Sequence, residues 1–232
     1  MIPWLHADTP FPPTSQALAE PNGLLAAGAD LSAKRLLSAY SQGIFPWYSG
    51  DQPLLWWSPN PRMVLLTDEF RISQSLHKVI RQKRFEVRWN TAFHKVIAMC
   101  AEPRERDGGT WIMPEMMDAY ERLHELGHAH SVESWRDGTL VGGLYGVQIG
   151  RMFFGESMFT RETNASKVAL AHLVHFLRQA SFPMIDCQQQ TKHLASFGAR
   201  PILRDDFTAQ VAKLVQQPAK IHHRDTEGKF KK

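Results

Sequence analysis

Hydrophobic and polar positions change rhythm several times along this chain, and the most regular stretch covers residues 130–188. The segment HSVESWRDGTLVGGLYGVQIGRMFFGESMF alternates loosely with period two and breaks at Asp137-Gly138 and again at Gly150. That pattern predicts three consecutive antiparallel strands joined by turns that require positive φ. Gly142, Gly143 and Gly146 interrupt the middle strand, where glycine marks a bulge or a place for a ligand to approach the backbone. The third strand sets Glu156 among Phe153, Phe154, Met158 and Phe159. A carboxylate in so apolar a run belongs either to an outer face or to a site. Val168, Leu170, Ala171, Val174 and Leu177 then recur at helical spacing over residues 165–179, and MIDCQ reads as a short strand with a polar end.

Upstream the periodic segments are shorter. Ser32 caps a helix carrying Leu36, Leu37 and Tyr40, which Gly43 stops. The run GIFPWYSGDQPLLWWSPNPR holds four prolines, which excludes a helix and favours extended, rigid backbone. Residues 64–66 and 85–88 read as strands, and 91–100 as a helix with Phe93, Val96 and Ile97 on its apolar face. Pro114 opens a further helix that Gly127 closes, and short helices are expected at 193–197 and 206–215. The order strand–strand–strand–helix–strand, flanked by helices, is an α+β pattern and resembles the acetyltransferase-like (GNAT-like) fold with a mixed sheet. The expected organisation is a small N-terminal α/β domain over 1–95, the acetyltransferase-like domain over 96–216, and a basic, disordered tail over 217–232.

With 232 residues, 43% of them hydrophobic, the chain has ample material for a core. No run of 18 apolar residues exists, so no membrane helix is expected. MIPWLHADTPFPP has neither a basic region nor an apolar h-region, which argues against a secretory signal and for a cytoplasmic protein. Cys100 and Cys187 are far apart, and neither a CxxC pair nor a His/Cys ladder of metal spacing occurs. A reduced chain without structural zinc is expected. The formal charge of +4 is less informative than it looks, because residues 217–232 carry a net +3 of it. A second basic excess is Arg71, Lys78, Arg81, Lys83, Arg84 and Arg88, opposed locally by Glu86 alone. Ser73 caps a helix there that presents Lys78 and Arg81 near one face, either as a solvated surface or as a contact for RNA phosphates.

An acetyltransferase-like fold raises coenzyme A as donor. That donor's pyrophosphate needs a glycine-rich turn at the start of the helix after the third strand. Here the turn is Thr160-Arg161-Glu162-Thr163-Asn164-Ala165, without glycine. A coenzyme A-dependent N-acyltransferase is therefore the disfavoured alternative, and a non-catalytic RNA-binding module is the other rival.

The segments EPNGLLAAGADLS, GIFPWYS, LLWWSPNPR, GTWI, LHELGHAHSVE, VGGLYGV, FGESMF, NASK and IDCQ resemble the leucyl/phenylalanyl-tRNA–protein transferase family over most of the chain. The resemblance implies transfer of Leu, Phe and less readily Met from aminoacyl-tRNA, without a cofactor. The acceptor is the α-amine of a protein or peptide beginning with Arg or Lys, which is thereby marked for N-end-rule degradation. A monomer that does not engage a membrane is expected. It further implies that Asp186 orients Gln188, whose carboxamide oxygen faces the attacking amine, and that Glu156 is the other polar site residue. A carboxylate at 156 would hold an ammonium or pair with the acceptor's Arg or Lys side chain. A spacing of two within a strand places Asp186 and Gln188 on one face.

An apolar pocket suits a donor amino acid of variable shape. By the same resemblance Phe153, Met158, Leu170, Leu177 and Ile185 are its expected walls, and Leu173 joins them on the same helix face as Leu170 and Leu177. Leu144, Gly155 and Ser157 complete the expected substrate contacts. The family carries a methionine where this chain has Leu144 and an aromatic ring where it has Leu177. Trp47 and Trp111 match positions that stack on the terminal adenine of tRNA. His124, His128 and His130 are expected to be structural rather than a ligand set. Ser157 has no evident His/Asp partners for a hydrolase triad, and Cys187 is expected as a packed thiol on the opposite face of its strand from its neighbours.

Overall fold

The computed structural model describes residues 1–50, 52–102 and 112–219. Two sheets occur among them. The smaller comprises β1 (Trp4–Leu5), β2 (Leu24–Gly28), β3 (Phe45–Pro46) and β4 (Leu55–Trp57), in the order β1-β2-β4-β3. The proline-rich run that holds β3 and β4 is extended strand and loop among its described residues, as the composition demands. Helix α1 (Ala33–Tyr40) lies between β2 and β3, with Ser32 accepting the Arg35 N–H at its start.

The larger sheet runs β11-β5-β10-β9-β8-β7-β6. Its strands are β5 (Arg62–Leu66), β6 (Glu86–Trp89), β7 (Ala129–Arg136), β8 (Thr139–Ile149), β9 (Met152–Thr160), β10 (Met184–Gln188) and β11 (Arg200–Ile202). β9 and β10 are parallel and every other pairing is antiparallel, so the sheet is mixed. The meander β7–β8–β9 is the one the alternation predicts, with Asp137, Gly138 and Gly150 at positive φ in its turns. α2 (Gln74–Arg81), α3 (Phe93–Ala101), α4 (Pro114–Glu125), α5 (Ala165–Gln179), α6 (Lys192–Ala195) and α7 (Arg204–Leu214) are the other α-helices among the described residues. Meander, crossover helix α5 and parallel strand β10 give the acetyltransferase-like arrangement in an α+β molecule. The expected division at 95/96 cuts across this sheet, because β5 and β6 precede it and pair with strands that follow it.

Alternation in the strands builds a core on each face. Leu144, Phe153 and Ile185 pack with Val168, Leu170, Leu173 and Leu177 of α5. Tyr145, Val147 and Phe154 pack on the other side with α3, α4 and the small sheet. Glu133, fully buried on β7, fixes the start of α3. It accepts the N–H groups of Thr91 and Ala92 at 2.9 Å, the Ser131 hydroxyl at 2.8 Å, the Trp135 indole at 3.1 Å and the Thr91 hydroxyl. A carboxylate at a helix N-terminus with this many donors is satisfied rather than poised for chemistry.

The β8 glycines do not open the sheet to a ligand. A Cβ on Gly142 would lie 2.5 Å from Ala165 Cβ and 2.8 Å from the Ser166 nitrogen, and one on Gly146 would lie 2.3 Å from the Phe154 carbonyl oxygen. The space they leave is filled by the start of α5, by β7 and by β9.

Candidate active site

β9 and β10 pair only through Ile185 with Phe153 and Asp186 with Phe154, and beyond these positions the parallel strands part. A cleft of about 360 Å³ occupies the gap. Gly155, Glu156, Ser157 and Met158 line it from β9, and residues 185–188 line it from β10. Leu170 and Leu173 of α5, Leu144 and Leu65 form its apolar floor, with Thr191, His193 and Leu194 at the α6 end.

Irregularities in the strands aim the polar side chains. Tyr145 and Gly146 of β8 pair with Ser157 and Gly155, so Glu156 is the extra residue of a β-bulge. On β10, Asp186 pairs with Val64 and Gln188 with Met63, leaving Cys187 as the extra residue, and Gln188 has φ 55°. The expected same-face pairing of Asp186 and Gln188 side chains does not survive this bulge. The Asp186 carboxylate turns inward and accepts the backbone N–H of Gln188 at 2.9 Å, while the Gln188 side chain reaches across the cleft.

Gln188 Nε2 donates to Glu156 Oε1 at 2.9 Å. Two buried tyrosines complete the cluster: Tyr40 from the end of α1 lies 2.8 Å from Glu156 Oε1, and Tyr120 from α4 lies 2.9 Å from Oε2. Burial, opposed by the tyrosine hydrogen bonds and reinforced by Asp186, raises the Glu156 carboxyl to about 7. The tyrosines escape a reading of pattern alone, because both occupy apolar positions of their helices. Their signal is that a buried phenol needs a partner.

Asp186 is held from behind. Arg62 Nε and Nη2 donate to its two oxygens at 2.8 and 2.7 Å, and both residues are completely buried. The guanidinium lies between the rings of Phe45 and Phe207, 4.7 and 4.6 Å from their centroids, and donates to the Gly43 carbonyl at 3.1 Å. One arginine thus ties the small sheet, α7 and the turn of β10 together. Its place in SPNPR gives no hint of a partner 124 residues away.

Of the expected pocket residues, Leu144, Gly155, Ser157, Met158, Leu170, Leu173 and Ile185 line the cleft. Phe153 and Leu177 do not; both are fully buried in the core behind it. Trp47 is 37% exposed and packs edge-on against Trp57 outside the cleft. Trp111 lies outside the described residues. Cys187 lines the cleft instead of packing away from it, because the bulge breaks the alternation, and burial foremost pushes its thiol far above the ordinary range. His124 stacks on Phe93 at 4.2 Å, while His130 contacts the Asn90 amide at 3.1 Å. Among the described residues no three metal-ligating side chains converge, and no helix is long and apolar enough to cross a membrane.

A family model for leucyl/phenylalanyl-tRNA protein transferase matches residues 64–212, and the model for its N-terminal domain matches residues 29–60. A protein of Aromatoleum aromaticum named leucyl/phenylalanyl-tRNA–protein transferase is 62% identical over 212 residues, covering 91% of this chain and 90% of its own. A protein of the same name from Chromobacterium violaceum is 58% identical over 218 residues, covering 94% of each. A solved structure titled L-PGS from Bacillus licheniformis is a far looser match, with a TM-score of 0.39 at 11% identity over 74% of this chain; the chain spans 57% of its length. By the extent and identity of the sequence matches, the chain belongs to the leucyl/phenylalanyl-tRNA–protein transferase family.

Proposed function

We propose that this chain transfers Leu, Phe and less efficiently Met from aminoacyl-tRNA to the α-amine of proteins beginning with Arg or Lys, marking them for N-end-rule degradation. It does so as a cytoplasmic monomer. The observation that carries the reading is the cleft itself: an apolar chamber closed at one end by Glu156 and Gln188, in the gap between two parting parallel strands. The side chain of the donor amino acid occupies the chamber against Leu144, Met158, Leu170, Leu173 and Ile185. A greasy pocket discriminates by size at about 1–3 kcal/mol per methylene, which suits a donor set of Leu, Phe and Met.

The chemistry asks little of the protein beyond placement. The donor is an activated ester, and the nucleophile is an α-amine with a pKa of about 7.7–8.0, so a useful fraction is neutral near pH 7. Positioning carries most of the rate. Because Gln188 spends an amide hydrogen on Glu156, its carboxamide oxygen remains to accept from the attacking amine. Asp186 is a positioning residue that fixes the Gln188 backbone, and Arg62 in turn fixes Asp186. Trp47 stacks on the terminal adenine, and the exposed basic side chains of α2 and its flanks, Lys78, Arg81, Lys83 and Arg84, meet tRNA phosphates. A division into a small N-terminal domain, a catalytic domain and a basic tail is part of the same proposal, with β5 and β6 counted in the sheet of the catalytic domain.

A coenzyme A donor is disfavoured further by packing. Gly142 lies against the first turn of α5, so close that even a Cβ would not fit, where such a donor needs free backbone N–H groups. The test is transfer of labelled Leu from charged tRNA to an Arg-initiated peptide, beside an identical reaction supplied with acetyl-coenzyme A. Label on the peptide from tRNA alone supports the reading; tight tRNA binding without transfer favours an RNA-binding module.

A further inference from the structure

The oxygens of Tyr40, Tyr120 and Glu156 form a closed ring. Tyr40 and Tyr120 lie 2.5 Å apart, Tyr40 lies 2.8 Å from Glu156 Oε1, and Tyr120 lies 2.9 Å from Oε2. All three separations are hydrogen-bond lengths, and each requires a hydrogen between its oxygens. The two phenols bring one hydrogen each. Gln188 Nε2 aims at Glu156 Oε1 and not at a phenol. If the carboxyl were ionised, both phenols would donate to it, and the shortest contact in the ring would be two oxygens facing each other with nothing between them. With a carboxylic acid the count closes. Oε2–H donates to Tyr120, Tyr120 donates to Tyr40, and Tyr40 donates to Oε1, all in one sense, so that each bond polarises the next.

We propose that Glu156 rests as a neutral carboxylic acid locked in this ring, so that the site receives the attacking α-amine in its neutral, nucleophilic form. This inference rests on the transferase reading above and reverses the expectation of a carboxylate that grips an ammonium. An ionised Glu156 would stabilise the unreactive protonated amine, whereas a neutral one does not. Among the described residues, nothing else around the ring reinstates the charge. Asp186, from β10, is paired with Arg62 of β5, and its carboxylate disfavours a second negative charge at Glu156. Tyr40 from α1, Tyr120 from α4 and Tyr145 from β8 are each held neutral, foremost by burial. The Cys187 thiol is likewise held protonated, foremost by burial. Glu156 then acts as a positioning residue: its Oε1 fixes the Gln188 amide group, which leaves the Gln188 oxygen free for the amine.

The protonation state is directly measurable. Carboxyl infrared or carbon NMR spectra of chain labelled with ¹³C-glutamate are recorded across the neutral range, with Glu156→Gln for assignment, or Glu156→Asp if the first variant does not fold. At roughly pH 6, where ordinary glutamates are ionised, one protonated carboxyl is expected in the wild type. It disappears only as pH rises through about 7 and is missing in the variant. Transfer assays give a second readout. The ratio of kcat/KM for Glu156→Gln to that of the wild type cancels the titration of the amine substrate. It is expected to rise by about fivefold or more between roughly pH 6 and pH 8.5, since the carboxamide keeps a donor and an acceptor at every pH. A carboxyl already ionised at pH 6, or a ratio that stays flat or falls, overturns the proposal. Absence of transfer by the wild type would sink the transferase reading and leave the spectroscopic result standing on its own.

Discussion

At the residue scale, a lone buried carboxyl and a buried ion pair set the energetics of the site. Glu156 keeps its proton in the folded chain to about pH 7, chiefly through burial, but loses it near pH 4 when unfolded. Between those values the folded state binds more protons, so stability falls as pH rises from about 4 to about 7 and stays lowered above. Glu156→Gln removes that penalty. Its denaturation midpoint is expected to gain on the wild type by an amount equivalent to about 3 kcal/mol more at pH 8 than at pH 4; equal differences at both would contradict the raised carboxyl. Arg62 and Asp186 behave differently, because their charges are already paired. Arg62→Met leaves a buried carboxylate alone and is expected to cost about 3–5 kcal/mol in urea unfolding, whereas Arg62→Met combined with Asp186→Leu recovers much of it. The double variant still loses transfer, since nothing then holds the Gln188 N–H.

At the element scale, site geometry follows from breaks in regular pairing. Gly146 permits the bulge that presents Glu156, since any Cβ there meets the Phe154 carbonyl. Gly146→Ala is expected to destabilise the fold by about 1–3 kcal/mol and to lower kcat more than it raises KM. A wild-type kcat in a folded variant would show that the bulge does not position Glu156. Helix α2 makes an independent claim. Lys78→Ala with Arg81→Ala is expected to flatten the dependence of log affinity for tRNA on log salt by about 1–2, leaving transfer from saturating tRNA nearly unchanged. An unaltered salt slope means those side chains only solvate the surface.

How much of this was legible beforehand divides along the same line. Caps and turns at Ser32, Ser73, Pro114 and Asp137-Gly138 rest on chemistry within a few residues, and they stand where the pattern puts them. The meander, α5 and the walls Leu144, Met158, Leu170 and Ile185 follow from periodicity and family resemblance. The bulges at Glu156 and Cys187 are decided by partner strands, so period-two counting gave Asp186 and Gln188 one face where the chain gives them two. Phe153 and Leu177 satisfy the same apolar pattern as the pocket walls, and only packing separates core from lining. Arg62, Tyr40 and Tyr120 act across the whole length of the chain, beyond the reach of any local window.

At the scale of the whole molecule, the cleft is assembled from distant parts of the chain. The tyrosines come from α1 and α4, the guanidinium from β5, the bulges from β9 and β10, and the apolar floor from α5. In the proposed reaction this cleft holds the amino acid while tRNA is gripped elsewhere. Single-turnover transfer of labelled Leu from charged tRNA to an Arg-initiated peptide, by the wild type and by Met158→Trp, tests it directly, with tRNA affinity measured alongside. An indole filling the cleft is expected to cut transfer by about 100-fold or more, equivalent to about 2.7 kcal/mol, with tRNA affinity changed by less than about threefold. Transfer at the wild-type rate with the cleft filled would place the chemistry elsewhere.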